Sequence, residues 1–373
     1  MFPSEQGAPG SARLEAQAEM FANRLRKRYR HLARWAKRCG AGFFRLYDRD
    51  IPEIPLTLDY YEALPPGDRA DPRRGAAIPA GGAALAGAVY KRPYEKDEAE
   101  EGAWLSRMRE AASLALGIAK NRVFIKERKP QRGRDQYGKL GRERAGLEAA
   151  EGGLRFLVNL SDYLDTGIFP DRRLLRAKIR EEAAGKKVLN LFAYTCSLSV
   201  YAAAGKAAGV DSVDLSGTYL DWGRRNFALN GLDGGTGRER PFRFIRADVF
   251  RFLEEKRRQG KTWDLIVLDP PTFSNSKKMD RTLDIRRDQR ELIEGCLALL
   301  APGGRLWLSV NARGFKLAER DFPGTGLTDM TEKLRDEDFR NRRIPVCYVF
   351  ERQAAVSKTE VSGQLIDKNF MKG

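Results

Sequence analysis

The stretch VLNLFAYTCSLSVYAAAGKAAGVDSVDL, residues 188–215, opens with a short apolar run and turns through small and hydroxyl residues. It continues at helical spacing and ends in a second apolar run that reaches Asp214. Strand, covering helix and strand in that order form the unit of a parallel sheet, because parallel neighbours need a crossover long enough to hold a helix. The pattern repeats downstream. Further strands are predicted at FRFI (242–245), DLIVLD (264–269) and RLWLSV (305–310). Helices are predicted near residues 197–206, 218–230, 249–258 and 281–300, the last stopped by Pro302, Gly303 and Gly304. The fold class is therefore α/β, a doubly wound sheet with helices on both faces. A strand near Leu327 and the run IPVCYVFE from Ile344 are predicted to add an antiparallel edge pair.

Upstream the pattern differs. Residues 1–16 are small and polar without apolar period, which predicts a disordered lead-in. From Phe21 the apolar residues Phe21, Leu25, Leu32 and Ala36 recur at helical spacing. Arg24, Arg26, Lys27, Arg28, Arg30, Arg34, Lys37 and Arg38 surround them, with no acid among residues 24–38. A solvated face would explain some of these charges, but a run of one sign fits phosphate contact better. Residues 43–64 suggest strands, 65–88 a loop, 103–119 a helix, 123–126 a strand and 126–144 a basic, glycine-containing segment. The organisation predicted is a basic helix and small α+β domain over 17–154, the parallel-sheet domain over 155–352 and a flexible tail over 353–373.

The whole chain carries a net charge of +17, which favours a polyanionic partner through counterion release. Cys39, Cys196, Cys296 and Cys347 are far apart and His31 is the single histidine, so neither a disulfide framework nor zinc spacing is available and no metal is predicted. No apolar run approaches a membrane span or signal peptide, so a soluble, cytoplasmic protein without membrane contact is expected.

Ligands of open α/β sheets bind at the carboxyl ends of the strands. The first strand ends in the turn Asn190–Ser197, with no GxGxxG for a pyrophosphate and no GxxxxGK[ST] for a nucleotide phosphate; a carboxylate suits it better. Asp214 ends the second and can accept from both hydroxyls of a ribose. Asp248 follows the third, as an acceptor for an adenine amine or as a helix N-cap. After the fourth come Asp269-Pro270-Pro271-Thr272-Phe273. Two prolines stiffen this turn and supply no N–H, so Asp269 and its neighbouring carbonyls can face a flat, amine-bearing ring on which Phe273 stacks. The structural alternative is a rigid loop around a buried aromatic.

The blocks FANRLRKRYRHLARWAKR, LYDRDIPE, QYGKLG, VNLSDYLDTGIFPDRR, VLNLFAYT, VDLSGTYLDWGRRNFALNGL, DLIVLDPPTFSNSKKM and DFRNRRI, spread from residue 21 to 350, resemble the RlmK methyltransferases. That family is usually met as the C-terminal half of the fused bacterial enzyme RlmKL. The resemblance implies a Rossmann-like class I domain that uses S-adenosylmethionine to methylate N7 of a guanine in the peptidyl-transferase region of 23S rRNA. It implies that Asn190, Phe192, Tyr194, Thr195, Ser197, Asp214 and Asp248 hold the cofactor. Asp171 and Arg172 would line its entrance, and Asp269, Pro270, Pro271 and Phe273 would face the guanine. RNA docking is expected on residues 21–45 and 122–144, with help from a separate RlmL-like protein as the equal alternative. Two departures bear on cofactor affinity: Cys196 stands where relatives usually have glycine, and Pro345 where a histidine is expected.

The residues narrow the chemistry. Methylating carbon 5 of cytosine needs a cysteine nucleophile, and the places where carbon methylases of related architecture carry thiols hold Thr272, Asn311 and Ala312. Guanine N7 is already nucleophilic and has no proton to lose, so alignment alone can supply rate. Methylation of guanine N2 or adenine N6 is the alternative, since Asp-Pro-Pro-aromatic motifs serve those amines too. A non-catalytic RNA-binding assembly factor is a second. A small-molecule methyltransferase would have no use for the basic helix. Because N7 lies in a deep groove of duplex RNA, protein-free 23S rRNA or a base turned out of its helix is the expected substrate, before full subunit assembly.

Overall fold

The computed structural model describes residues 9–65, 82–90, 97–127, 145–163, 165–232, 241–275, 281–339 and 345–352. Helix α1 (Pro9–Cys39) leads into strands β1 (Phe43–Asp48), β2 (Leu56–Glu62) and β3 (Ala83–Val89), helix α2 (Glu98–Leu116) and strand β4 (Val123–Glu127). The four strands form one sheet in the order β1-β2-β3-β4, with only the β3–β4 pair parallel. Phe21, Leu25, Leu32 and Ala36 of α1 are buried, as their spacing requires, together with Trp104 and Met108 of α2.

Two local expectations fail here for tertiary reasons. Helix α1 begins at Pro9, so the lead-in predicted over 1–16 is helical from residue 9 onward. The sequence of that first stretch lacks an apolar period, but α2 supplies partners: Arg107 pairs with Glu15 at 2.5 Å and Trp104 Nε1 donates to Gln17 Oε1 at 2.7 Å. The loop predicted over 65–88 contains β3. Its sequence AALAGAV has few branched residues because the strand is crowded: a Cβ at Gly87 would lie 2.1 Å from the Thr57 carbonyl oxygen. Residues 1–8, 66–81, 128–144 and 353–373, which carry the rest of the lead-in, most of the predicted loop, the basic segment and the tail, lie outside the described residues.

The hairpin of β5 (Gly146–Glu151) and β6 (Leu154–Asn159) turns through Gly152 and Gly153, both at positive φ. The boundary expected between residues 154 and 155 falls inside it, and Gly42 N donates to Ala150 O while β6 packs on a helix of the large sheet. After α3 (Arg173–Glu182) come β7 (Lys187–Leu191), α4 (Ser197–Ala204), β8 (Gly209–Asp214), α5 (Gly217–Leu229), β9 (Phe242–Arg246), α6 (Val249–Arg258) and β10 (Trp263–Leu268). A short pair, β11 (Phe273–Ser274) and β12 (Leu283–Asp284), precedes α7 (Ile285–Ala298), β13 (Leu300–Val310), β14 (Thr325–Asp329) and β15 (Val346–Arg352).

The large sheet has the order β14-β15-β13-β10-β7-β8-β9, parallel from β13 to β9 and antiparallel at the β15–β14 edge. Both faces are covered. Val188 and Val210 join a core with Ile179, Val200 and Phe227, while Leu189, Leu191 and Val213 join one with Phe252, Leu292 and Ile293. That alternation is why the strands read as unbroken apolar runs. The chain leaves β7 towards β8 and leaves β10 in the opposite direction towards β13, so the topological switch lies between β7 and β10. Among the described residues, no helix is long and apolar enough to cross a membrane.

Candidate active site

Around the switch point, three groups of side chains meet. The first is the turn after β7. Phe192, Tyr194 and Cys196 all have left-handed backbone, with φ of 57°, 50° and 62°. For residues other than glycine that conformation costs roughly 1–2 kcal/mol each, so the surrounding structure imposes it. Within the turn Ala193 N donates to Val213 O, Tyr194 N to an Asp214 carboxylate oxygen and Cys196 N to Ala193 O, so the donors that could meet an anion here are the first N–H groups of α4. Cys196 takes up the left-handed position that favours glycine, and its side chain fits because α5 has Gly223 opposite. A Cβ there would lie 2.4 Å from the Cys196 sulfur.

The second group surrounds Asp214. One carboxylate oxygen accepts from Tyr194 N at 2.9 Å and the other from Ser216 N at 2.8 Å, leaving each a free lone pair for a further donor. Burial pushes this carboxyl up to about 6, against both N–H bonds. The Tyr194 ring bridges Phe169 and Tyr219 at centroid distances of 5.2 and 4.5 Å. Asp248 caps α6, accepting from Phe250 N and Arg251 N at 2.9 and 3.2 Å, so the capping role is the one present.

The third group joins residues 97 apart. Arg172 grips Asp269 in a fork: Nη2 and Nε lie 2.9 and 3.1 Å from Oδ1, and Nη1 lies 3.0 Å from Asp171 Oδ2. The Arg172 side chain is only 8% exposed, and although its burial opposes ionisation, Asp171 and Asp269 raise its pKa. Pro270 is buried and Pro271 half-buried, Thr272 Oγ1 donates to Asn311 O at 2.9 Å, and Phe273 is 47% exposed. The exposed ring rules out the structural alternative of a loop closed around a buried aromatic.

Some sequence-assigned residues sit elsewhere. The Asn190 side chain is buried beneath the turn, donating to Ser199 Oγ at 2.8 Å, and Thr195 Oγ1 is buried and donates to Gly167 O. These bonds tie the turn to α4 and to Gly167. Ser197 opens α4 and is half-buried. In α1, Arg26, Lys27, Arg30, Arg34, Lys37 and Arg38 are exposed. Arg24 pairs with Asp50 at 2.7 Å, and Arg28 is largely covered and donates to Leu46 O at 3.3 Å; these two anchor the helix to β1 and the turn after it. Sequence reading also missed Cys347 on β15, within electrostatic reach of Arg172 and Asp269. Burial pushes its thiol up to about 12, which keeps it protonated at neutral pH. Phe169 was missed as well: an exposed aromatic just before Pro170-Asp171-Arg172 was its only signal.

A left-handed turn, a buried carboxylate with lone pairs to spare and a rigid Asp-Pro-Pro loop thus meet at the switch point. The S-adenosylmethionine-dependent methyltransferase family model matches residues 85–320, and the chain is a member of that class with S-adenosylmethionine as its cofactor. Ribosomal RNA large subunit methyltransferase K of Neisseria meningitidis serogroup B is 44% identical over 328 residues, covering 88% of this chain and 86% of that protein. The chain belongs to the family of these methyltransferase K proteins. The ribosomal RNA large subunit methyltransferase K/L of Pseudomonas paraeruginosa is also 44% identical, over 334 residues that make up 89% of this chain but 42% of that protein. The crystal structure of SMU.776 complexed with SAH has 22% identity and a TM-score of 0.63, covering 90% of this chain and 81% of that one, a likeness of fold.

Proposed function

We propose that this chain methylates N7 of a guanine in 23S rRNA, acting on the RNA before the subunit is fully assembled. The observation that carries the reading is the Arg172–Asp269 fork: it holds the Asp269 carboxylate as a fixed acceptor beside the Asp-Pro-Pro loop. An acid so held orients a base and does not take its proton, and N7 has none to give. The high thiol pKa of Cys347 fits the same reading, since a covalent route through carbon would need a thiolate. Bound S-adenosylmethionine supplies the electrophilic methyl. The first N–H groups of α4 seat its carboxylate, Asp214 accepts from its ribose, and Asp248, beyond its capping bonds, borders its adenine. Phe273 offers a face on which the guanine stacks, holding N7 in line.

The test is mass spectrometry of nuclease-digested 23S rRNA after incubation with isotope-labelled S-adenosylmethionine. Label in 7-methylguanosine is expected, with protein-free RNA a better substrate than assembled subunits. Label in N2-methylguanosine or N6-methyladenosine would move the reaction to an exocyclic amine, and no label on any RNA would favour an assembly factor.

The six exposed cations between Arg26 and Arg38 lie along one solvent face of α1 and, in this reading, follow the RNA backbone. Replacing Arg26, Arg30, Arg34 and Lys37 by Ala should lower the slope of log affinity against log salt by about 3, at roughly 0.7–0.9 for each phosphate no longer neutralised. A slope unchanged in filter binding would remove the helix from the interface.

Asp214 gives a pH signature. Its folded pKa is raised to about 6, so without cofactor its contribution to stability is present at low pH and declines as pH rises through about 6. Cofactor binding has the opposite dependence, because only the ionised carboxylate accepts from both ribose hydroxyls. Calorimetry should show affinity level above about pH 7 and falling about tenfold per pH unit below 6, with proton release on binding near 6. An Asp214→Asn protein should bind weakly at every pH. A level wild-type profile from about pH 5 to 8 would take Asp214 out of the ribose site.

A further inference from the structure

Arginines around α7 are of two kinds. Arg281, Arg287 and Arg290 pair with Glu291, Asp288 and Glu294 at 2.6, 2.7 and 3.3 Å. Arg286 is exposed and forms no ion pair among the described residues; its Nη2 donates instead to the Arg313 carbonyl at 2.6 Å. Arg313 stands at the tip of a tight turn after β13. There Phe315 N donates to Ala312 O at 3.4 Å, and Gly314 supplies the left-handed third position with φ of 69°. Ala312 and Phe315 are buried and Phe315 is braced on Tyr348, so the turn is pinned from beneath. Arg313 and Lys316 are exposed and, like Arg286, form no ion pair among the described residues. The two acids nearest to Arg286 in the chain are already engaged: Asp284 caps α7 through Arg286 N at 3.0 Å, and Asp288 takes Arg287. Three like charges gathered in this way repel one another until an anion joins them. Two ties set their place beside the reacting loop. Asn311 O, two residues before Arg313, accepts from Thr272 Oγ1 at 2.9 Å, and Asp284, two residues before Arg286, is the strand partner of the exposed Phe273. Arginine and lysine side chains offer N–H donors alone, and a phosphate both accepts from them and neutralises them. A nucleotide turned out of its helix swings about its own backbone, so the phosphates on either side have to be held where the base enters.

We propose that Arg286, Arg313 and Lys316 grip the backbone phosphates that flank the methylated nucleotide. The inference rests on RNA as the substrate but on no particular base atom. It gives the chain a second phosphate contact besides α1: the helix carries the RNA to the protein, and the cluster fixes the target strand at the reacting loop. The three are positioning residues, which act on the strand and not on the methyl group.

The experiment replaces all three by Ala and measures methylation of unmodified 23S rRNA transcript and its binding over a range of salt. The triple variant should lower kcat/KM about 10- to 100-fold, the cost of a target strand held out of line. It should also lower the slope of log affinity against log salt by about 2, at roughly 0.7 for each phosphate of a single strand. Calorimetry should show S-adenosylmethionine bound within about twofold of wild type, because sites without shared partners act independently, and this also shows that the variant is folded. Should the triple variant fail to fold, Arg313→Ala at the turn tip carries the test, with a slope lower by about 0.7. Arg286→Lys with Arg313→Lys keeps the charge and should keep the wild-type slope. Arg287→Ala with Arg290→Ala removes the paired arginines of the same helix and should leave kcat/KM and slope unchanged. Equal losses from that control would assign the effect to net charge and overturn the site. Wild-type kcat/KM and slope in the triple variant would overturn it too. If the wild-type chain labels no RNA nucleoside, the RNA reading fails and the site with it, whereas equal labelling by wild type and triple variant defeats the site alone.

Discussion

Asp269→Ala is expected to lower methyl transfer to 23S rRNA at least about a hundredfold and to destabilise the fold by about 3 kcal/mol. The second effect follows from the environment of Arg172. Its side chain is 8% exposed and directs two nitrogens at Asp269, so removing the carboxylate leaves a desolvated cation with Asp171 alone to balance it. The remaining contact with Asp171 puts the loss at the low end of what broken buried pairs cost. Removing both partners should be milder than removing Asp269 by itself. Arg172→Ala in the Asp269→Ala background should therefore recover part of the stability while leaving methyl transfer abolished. Urea titrations of the four proteins in this cycle give the coupling directly. Additive losses would mean that the fork contributes no more than an exposed ion pair.

Glu151→Ala should cost more stability still, about 4–5 kcal/mol, although Glu151 lies outside the crevice. Its carboxylate is 1% exposed and accepts from Arg173 Nε at 3.0 Å, Arg176 Nε and Nη2 at 2.6 and 2.9 Å, and Tyr201 OH at 2.9 Å. Arg173 continues to Asp336 and Asp338 at 2.8 and 3.2 Å and to the Phe43 carbonyl, so one acid joins the β5–β6 hairpin, α3, α4, β1 and the segment before β15. Burial pushes the Glu151 carboxyl upward, but Arg176 and Arg173 outweigh it and hold the pKa below the usual carboxylate value of 4.5. A depressed folded pKa gives stability that is present above 4.5 and lost as pH falls through the folded value. Acid unfolding followed by circular dichroism should be shallower for Glu151→Gln than for the wild-type chain over that window. Equal pH dependence in the two proteins would show that the cluster is not the acid-sensitive element.

The sequence by itself determined the parallel sheet, the order of its strands along the chain and the residues at their ends. Those signals are local. Period-two burial on both faces makes the strands from VLNLF to RLWLSV read as apolar runs, and Asp214 and the Asp269–Phe273 loop stand where the runs stop. What lay beyond sequence reading depends on groups far apart in the chain. The Arg172–Asp269 fork, the Glu151 cluster and the buried Cys347 bring together side chains whose separation has no period to detect. The helix at residues 9–16 and the strand at 83–89 form against their local composition because α2 and β2 give them partners. Only the tertiary structure divided the eight cations of residues 24–38 into six that face solvent and two that anchor the helix. It also turned Asn190 and Thr195 inward. The physical reason is the same throughout: local sequence sets backbone preference and burial period, whereas the partner of a charge or polar group is fixed by which elements pack together.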